Sequence, residues 1–244
     1  MRFSLVFQLD TPEFPLDYRR IFLSFIKSAF EKYDHKLYSD LYDSGCNVKK
    51  PYTFSVYMKD AEFRKEDIVI GDKMIIFNFS TYSDAFGIYF YNSMLKMLHT
   101  EYPAGKVNSI KLSRISLVRE IPIRQTTVKV KTLSPVVVRE HKKDRKIDNY
   151  FVFSDGEFEE KLKENIIQSG QEFFDFDISS DVAELRVEPV QVKEALVLHY
   201  SNKIKVNVGS FVLEGKTYLL EYLLKAGMGA RRSQGFGMVE EVRG

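Results

Sequence analysis

Two adjacent arginines set among four glycines are, by residue type, the part of this chain best suited to hold an anion. They lie in AGMGARRSQGFGMVEEV (226–242), where Gly227, Gly229, Gly235 and Gly237 surround Arg231, Arg232, Ser233 and Gln234. Glycines let a backbone come close to a bulky ligand, and successive backbone N–H groups beside guanidinium groups favour phosphate. Two nucleotide-binding readings fail on context. A dinucleotide fingerprint, G-x-G-x-x-G, needs a strand before it and a helix after it. Here the third glycine falls six residues beyond the second, and the strand-like FGMVEEV follows. A Walker loop ends on Gly-Lys-Ser/Thr before a helix, and that ending is missing too. A simple helix C-cap and turn needs one glycine, or two. What remains is a loop shaped for a large anionic ligand.

Other charges are segregated along the chain. Between residues 102 and 132, Lys106, Lys111, Arg114, Arg119, Arg124, Lys129 and Lys131 face the single acid Glu120. In VKVKT the lysines alternate with valines, so Lys129 and Lys131 share one exposed face of a strand. REHKKDRK (139–146) adds Arg139 and a basic loop, whereas residues 155–181 carry an acidic excess. Such segregation predicts one phosphate-binding face and one face turned away from it. The net charge of +2 is by itself too small to announce a nucleic-acid binder. The four histidines are widely separated and Cys46 is the lone cysteine, so no metal-ligand spacing and no internal disulfide are expected. The start, MRFSLVFQLD, is too briefly apolar for a signal peptide, and no run reaches the roughly 20 apolar residues of a membrane helix. These features predict a soluble cytoplasmic protein with no cofactor and no membrane partner.

The elements that must position these residues follow from periodicity. RFSLVFQL alternates as a strand. Pro15 can open the following helix, in which Ile21, Phe22, Phe25, Ile26, Ala29, Phe30 and Tyr33 recur at helical spacing. Residues 34–50 read as a loop or short helix. Strands follow at 52–58 and 73–80, a helix around 83–99 and a strand at 108–120. That order, β-α-β-β-α-β, is the ferredoxin-like unit. A second set follows: a strand over 127–140 broken by Pro135, a helix at 157–170, a hairpin from 185–198 and 203–215, a helix at 217–227 and a closing strand. An α+β chain of two tandem ferredoxin-like (RRM-like) domains with antiparallel sheets, 1–123 and 124–244, is predicted, with the glycine-rich loop near the end of the second.

Three stretches together carry a resemblance. GMGARRSQGFGMVE resembles the C-terminal glycine-rich loop of the CRISPR-associated endoribonucleases that cut precursor CRISPR RNA within its repeats, members of the RAMP superfamily. KPYTFSVYM (50–58) resembles that family's Thr-Phe-Ser strand, and KTLSPVVVRE (131–140) its Thr-Leu-Ser-Pro strand. The likeness in order and spacing spans essentially the whole chain. It implies metal-independent cleavage in which the ribose 2′-hydroxyl attacks the adjacent phosphate, leaving a 2′,3′-cyclic phosphate and a 5′-hydroxyl. It also implies CRISPR repeat RNA as partner, together with other CRISPR-associated proteins and a second copy of the chain.

Such a reaction needs a base, an acid and cations for the phosphorane. Many family members use a tyrosine of the first helix, a histidine after it and a lysine before the Thr-Phe-Ser strand. Matching the motif places Lys27, Tyr42 and Lys50 at those positions, so only the lysine is retained. His35, seven residues before Tyr42, is the nearest histidine; it reads equally as a candidate catalyst and as a solvated residue of the polar KYDHK segment. Tyr42 acts as an acid only where lysines lower it from about 10, and otherwise packs. Lys27 and Lys50 can stabilise the phosphorane without moving a proton. The segregated charge assigns RNA binding to Lys129, Lys131 and Arg139, and the glycine-rich loop to Gly229, Arg231, Arg232, Ser233, Gln234 and Gly235. A non-catalytic RNA-binding RAMP protein is the alternative. A generic ferredoxin-like pair serving a small molecule leaves the arginine-bearing loop without a purpose.

Overall fold

The computed structural model describes residues 1–43, 49–106, 108–142, 147–200 and 202–243. Cys46 and residues 143–146 of the basic run lie outside the described residues. The chain divides into two compact units, Met1–Glu120 and Ile121–Gly244.

The first unit runs β1 (Arg2–Leu9), β2 (Glu13–Pro15), α1 (Tyr18–Tyr33), α2 (His35–Tyr42), β3 (Tyr52–Met58), β4 (Glu62–Phe63), β5 (Asp67–Val69), β6 (Met74–Thr81), α3 (Asp84–Leu95), β7 (Glu101–Pro103) and β8 (Ser109–Val118). Its main sheet is antiparallel, in the order β3-β6-β1-β8-β7. Without the edge strand β7, that is the order expected of a ferredoxin-like β-α-β-β-α-β unit. The alternation in β1 buries Phe3, Leu5, Phe7 and Leu9 on one face. Against them α1 lays Phe22, Phe25, Ile26, Ala29 and Phe30, with Phe7 meeting Phe22 and Phe25 edge-on at 5.2 and 5.0 Å. Each of the phenylalanine, leucine and isoleucine side chains contributes about 1.5–3 kcal/mol by leaving water, and this packing fixes which residues of α1 remain outside. Pro15 does not open α1. It ends β2, which pairs with β5 in a small sheet β2-β5-β4, and the helix starts three residues later.

The second unit runs β9 (Thr127–Thr132), β10 (Val138–Lys142), β11 (Ile147–Phe151), α4 (Phe158–Gly170), α5 (Ser179–Glu184), β12 (Arg186–His199), β13 (Asn202–Glu214), α6 (Thr217–Ala226) and β14 (Val239–Glu241). Its sheet order, β12-β13-β9-β14, repeats the ferredoxin-like arrangement. The sequence suggests one broken strand over 127–140. Instead, β9 lies in the main sheet while β10 forms a separate hairpin with β11. Proline removes a ladder donor, and here the Pro135 carbonyl accepts from the Gly237 N–H at 2.8 Å rather than from a neighbouring strand. Among the described residues no helix is long and apolar enough to cross a membrane, and no group of His, Cys, Asp and Glu is placed to hold a metal ion.

Candidate functional site

In the first unit, three of the four candidate catalytic residues meet, the three matched to the motif. Tyr42 is the last residue of α2, Lys27 lies on the exposed side of α1, and Lys50 stands two residues before β3. The Lys27 Nζ lies 4.7 Å and the Lys50 Nζ 5.0 Å from the centre of the Tyr42 ring. Both distances fall within the range of cation–π attraction. The Tyr42 hydroxyl shares a hydrogen bond of 3.1 Å with the Tyr52 hydroxyl. His35 is not part of this group. It sits exposed at the start of α2, behind the cap in which Asp34 Oδ1 accepts from the Leu37 N–H. Seven residues of helix separate it from Tyr42 by about 10 Å at 1.5 Å per residue. Tyr38 fills the interval, its ring 6.3 Å from His35 and 5.3 Å from Tyr42.

The electrostatics of this group set Tyr42 and Lys50 apart. Burial pushes the Tyr42 phenol up to about 12, against a smaller lowering by its bond to Tyr52. The charge of Tyr38 adds to the effect of burial. Tyr42 therefore keeps its proton at neutral pH. Lys50 moves the other way: burial, and then the charge of Lys27, lower it below the ordinary lysine value. Two ammonium groups held against one ring repel each other, and an anion beside them relieves both.

In the second unit, the glycine-rich segment is interlocked with residues 133–138. Met228 N–H donates to Gly237 O at 2.8 Å, Ala230 N–H to Val137 O at 2.7 Å, and Leu133 and Ser134 N–H both to Met238 O. Ser134 Oγ accepts in turn from Met238 N–H at 2.9 Å. The glycines serve this interlock first. At Gly229, whose φ is +75°, a Cβ would stand 2.3 Å from the Val137 carbonyl oxygen. Gly235 is buried with φ +85° and ends the 3₁₀ turn Arg232–Gln234. The close approach is thus to the protein's own backbone.

The two arginines part company. Arg232 is buried, and its guanidinium donates to the Tyr222 hydroxyl and to the Ala226 carbonyl, both at 3.1 Å. It places a cation on a free carbonyl at the end of α6, where the helix dipole favours one. Arg231, in the left-handed region at φ +56°, turns elsewhere. Its guanidinium donates to Gln234 Oε1 at 3.0 Å, and to Asp148 Oδ2 and the Tyr150 hydroxyl at 2.9 Å each. Gln234 Oε1 also lies 2.7 Å from His199 Nε2, and Ser233 is half-buried. Lys129 and Lys131 share the exposed face of β9, with Lys131 paired to Glu240 at 2.8 Å.

Sequence reasoning missed the centre of this second group. Asp148 accepts from Arg139 at 3.0 Å, from Arg231, and from the Tyr150 hydroxyl at 3.2 Å, all on Oδ2; His141 Nδ1 lies 2.7 Å from Oδ1. Strand register could have exposed part of it, because His141 pairs with Asp148 and Arg139 with Tyr150 across the β10–β11 hairpin. Burial raises the Asp148 carboxyl, but His141, Arg139 and Arg231 outweigh it and hold the group at about 2. A depressed carboxyl stabilises the folded state above its ordinary value near 4. That contribution is lost as the pH falls from about 4 to about 2. Asp148→Asn takes up no proton, so it should lose less stability than the wild type between these limits in denaturant melts. Equal losses would show that the cations do not hold the carboxylate as drawn.

A family profile described as "CRISPR associated protein Cas6, C-terminal" matches residues 118–241, just over half of the chain. The chain belongs to the Cas6 family. The resemblance carried by the glycine-rich loop and its two companion strands is borne out, and Cas6 proteins process and bind CRISPR RNA. The Cas6 fold extends over the full length. A solved structure of a Cas6-related gene product from Pyrococcus furiosus superposes with a TM-score of 0.82 at 20% identity, covering 100% of this chain and 98% of that one. A RAMP protein binding different RNA substrates gives 0.83 at 19% identity, with 100% of both chains covered. A Cas6 product complex gives 0.73 at 15%, covering 99% of this chain and 100% of the other. At these identities the likeness is one of fold. No curated protein matches the chain by sequence.

Proposed function

We propose that this Cas6-family chain is a metal-independent endoribonuclease that cuts precursor CRISPR RNA within its repeats. The ribose 2′-hydroxyl attacks the adjacent phosphate, giving 2′,3′-cyclic phosphate and 5′-hydroxyl ends. The observation that carries this reading is the convergence of Lys27 and Lys50 on Tyr42 in the first unit. Two repelling ammonium groups are suited to a phosphorane, whose added negative charge they neutralise better than that of the ground state. Tyr42 keeps its proton, so it serves as a rigid platform for the cations and not as a base. RNA is held by the second unit, through Arg139, Arg231, Lys129 and Lys131 on its surface, with Ser233 and Gln234 beside them. In this reading Gly229, Gly235 and the inward Arg232 hold the loop in shape and support the contact from beneath.

A second reading, a RAMP-type protein that binds CRISPR RNA without cutting it, is favoured by one observation. His35, the histidine nearest in sequence to the cluster, stands about two helical turns from it. A RAMP protein of the same fold is described as binding different RNA substrates. End-labelled repeat RNA incubated with the protein in EDTA separates the readings. Cleavage to a cyclic phosphate end is expected. Stable binding of intact RNA would favour the second reading, and absence of binding would overturn both.

A further inference from the structure

The Asp148 group holds more than phosphate-binding cations. A general base for 2′-hydroxyl attack must present a lone pair to substrate, stay accessible, and be fixed in one orientation. His141 meets these requirements within the second unit. Its Nδ1 is 2.7 Å from Asp148 Oδ1 while its side chain is 48% exposed. Asp148 stays ionised at neutral pH, so it only accepts, and the proton between the two belongs to His141 Nδ1. That assignment leaves Nε2 as the acceptor, as in other carboxylate-oriented imidazoles. The carboxylate is itself anchored on its other oxygen by Arg139, Arg231 and Tyr150. Two guanidinium groups against one carboxylate leave net positive charge beside the imidazole. The Arg231 Nε is also buried with no hydrogen-bond partner among the described residues, so a donor remains to be satisfied. Glu140, the nearest other acid on β10, is engaged elsewhere, by Lys161 and Asn149.

We propose that His141, oriented by Asp148 and flanked by Arg139 and Arg231, is the general base of a second RNA-cutting centre lying wholly within the second unit. Its substrate is an RNA phosphodiester bearing a free 2′-hydroxyl. His141 Nε2 takes the 2′-hydroxyl proton as the 2′-oxygen bonds to phosphorus. The bond from phosphorus to the 5′-oxygen breaks, and that oxygen takes a proton from water. The imidazolium returns its proton to solvent, so the step is a transesterification with no net change in protons or electrons. The guanidinium groups face the charge that develops on the phosphorane.

This inference rests on the reading of the chain as an RNA-cleaving protein, and its test separates the two. Single-turnover cleavage of labelled repeat RNA is measured in EDTA for the wild type, for Lys27→Ala/Lys50→Ala, and for that double variant with His141→Ala or His141→Gln added. Residual cleavage is expected in the double variant, reduced about 10²–10⁴-fold by either change at His141, and partly restored to the His141→Ala form by added imidazole. RNA binding is followed in parallel. Because His141 is exposed, and glutamine can still bond to Asp148, loss of folding does not explain loss of cutting in both forms. If residual cleavage survives both changes at His141, or if the double variant has none, the second centre is overturned while the nuclease reading stands. If the wild type does not cut RNA, both fall.

Discussion

Lys50→Ala is expected to slow single-turnover cleavage of repeat RNA about 10²–10³-fold, the loss typical of one preorganised charge removed from a transition state. RNA affinity should change far less, because one ammonium among many phosphate contacts contributes little to the ground state. Lys50 is the stronger of the two cations. It is half-buried, whereas Lys27 is exposed and more heavily screened by solvent. The same pairing sets a pH signature. Burial and the Lys27 charge lower Lys50 below an ordinary lysine, so its proton is lost earlier as pH rises. Lys27→Ala removes one of those causes, and the alkaline fall in rate should move to higher pH. A Lys50→Ala variant that cuts as fast as the wild type would remove the cluster from the reaction.

Gly237→Ala is expected to destabilise the second unit by about 2–5 kcal/mol. A left-handed residue with a Cβ costs about 1–2 kcal/mol, and Gly237 has φ +74°. Its Cβ would stand 2.0 Å from the Met228 carbonyl oxygen, so the backbone must move. That movement breaks the bonds from Met228 N–H to Gly237 O and from Gly237 N–H to Pro135 O, each contributing about 0.5–1.5 kcal/mol. Gly156→Ala in the same unit is the control, because nothing lies within 4 Å of a Cβ there. Denaturant melts and RNA affinity should both separate the two variants. If Gly237→Ala unfolds like Gly156→Ala, the interlock does not hold the loop.

Both ferredoxin-like units were legible because their strands alternate cleanly and their helices keep one apolar stripe, as in RFSLVFQL and the Phe22–Phe25–Ile26–Phe30 face. The end of α6 was legible for a local reason, the glycine at its C-cap. The small β2-β5-β4 sheet was not: its strands are two or three residues long, too short for a period to register. The contrary turns of Arg231 and Arg232 also escaped the sequence. One depends on Asp148, 83 residues away, and the other on Tyr222 lying beneath the loop. Lys27, Tyr42 and Lys50 came from motif matching. Their mutual distances arise from the packing of α1 and the hydrogen bond to Tyr52, which no spacing in the chain announces.

The interlock between residues 133–138 and 228–238 also has a bearing on how the second unit comes into being. Met238 reaches Ser134 across 104 residues, and β14 completes its sheet by pairing with β9. Contacts of such long sequence separation form slowly, because the intervening chain must first be gathered. The segment bearing Arg231 therefore finds its partners later than the hairpins and helices between them form. Until residues 228–241 arrive, β9 presents an open edge and the Asp148 carboxylate lacks one of its two guanidinium groups.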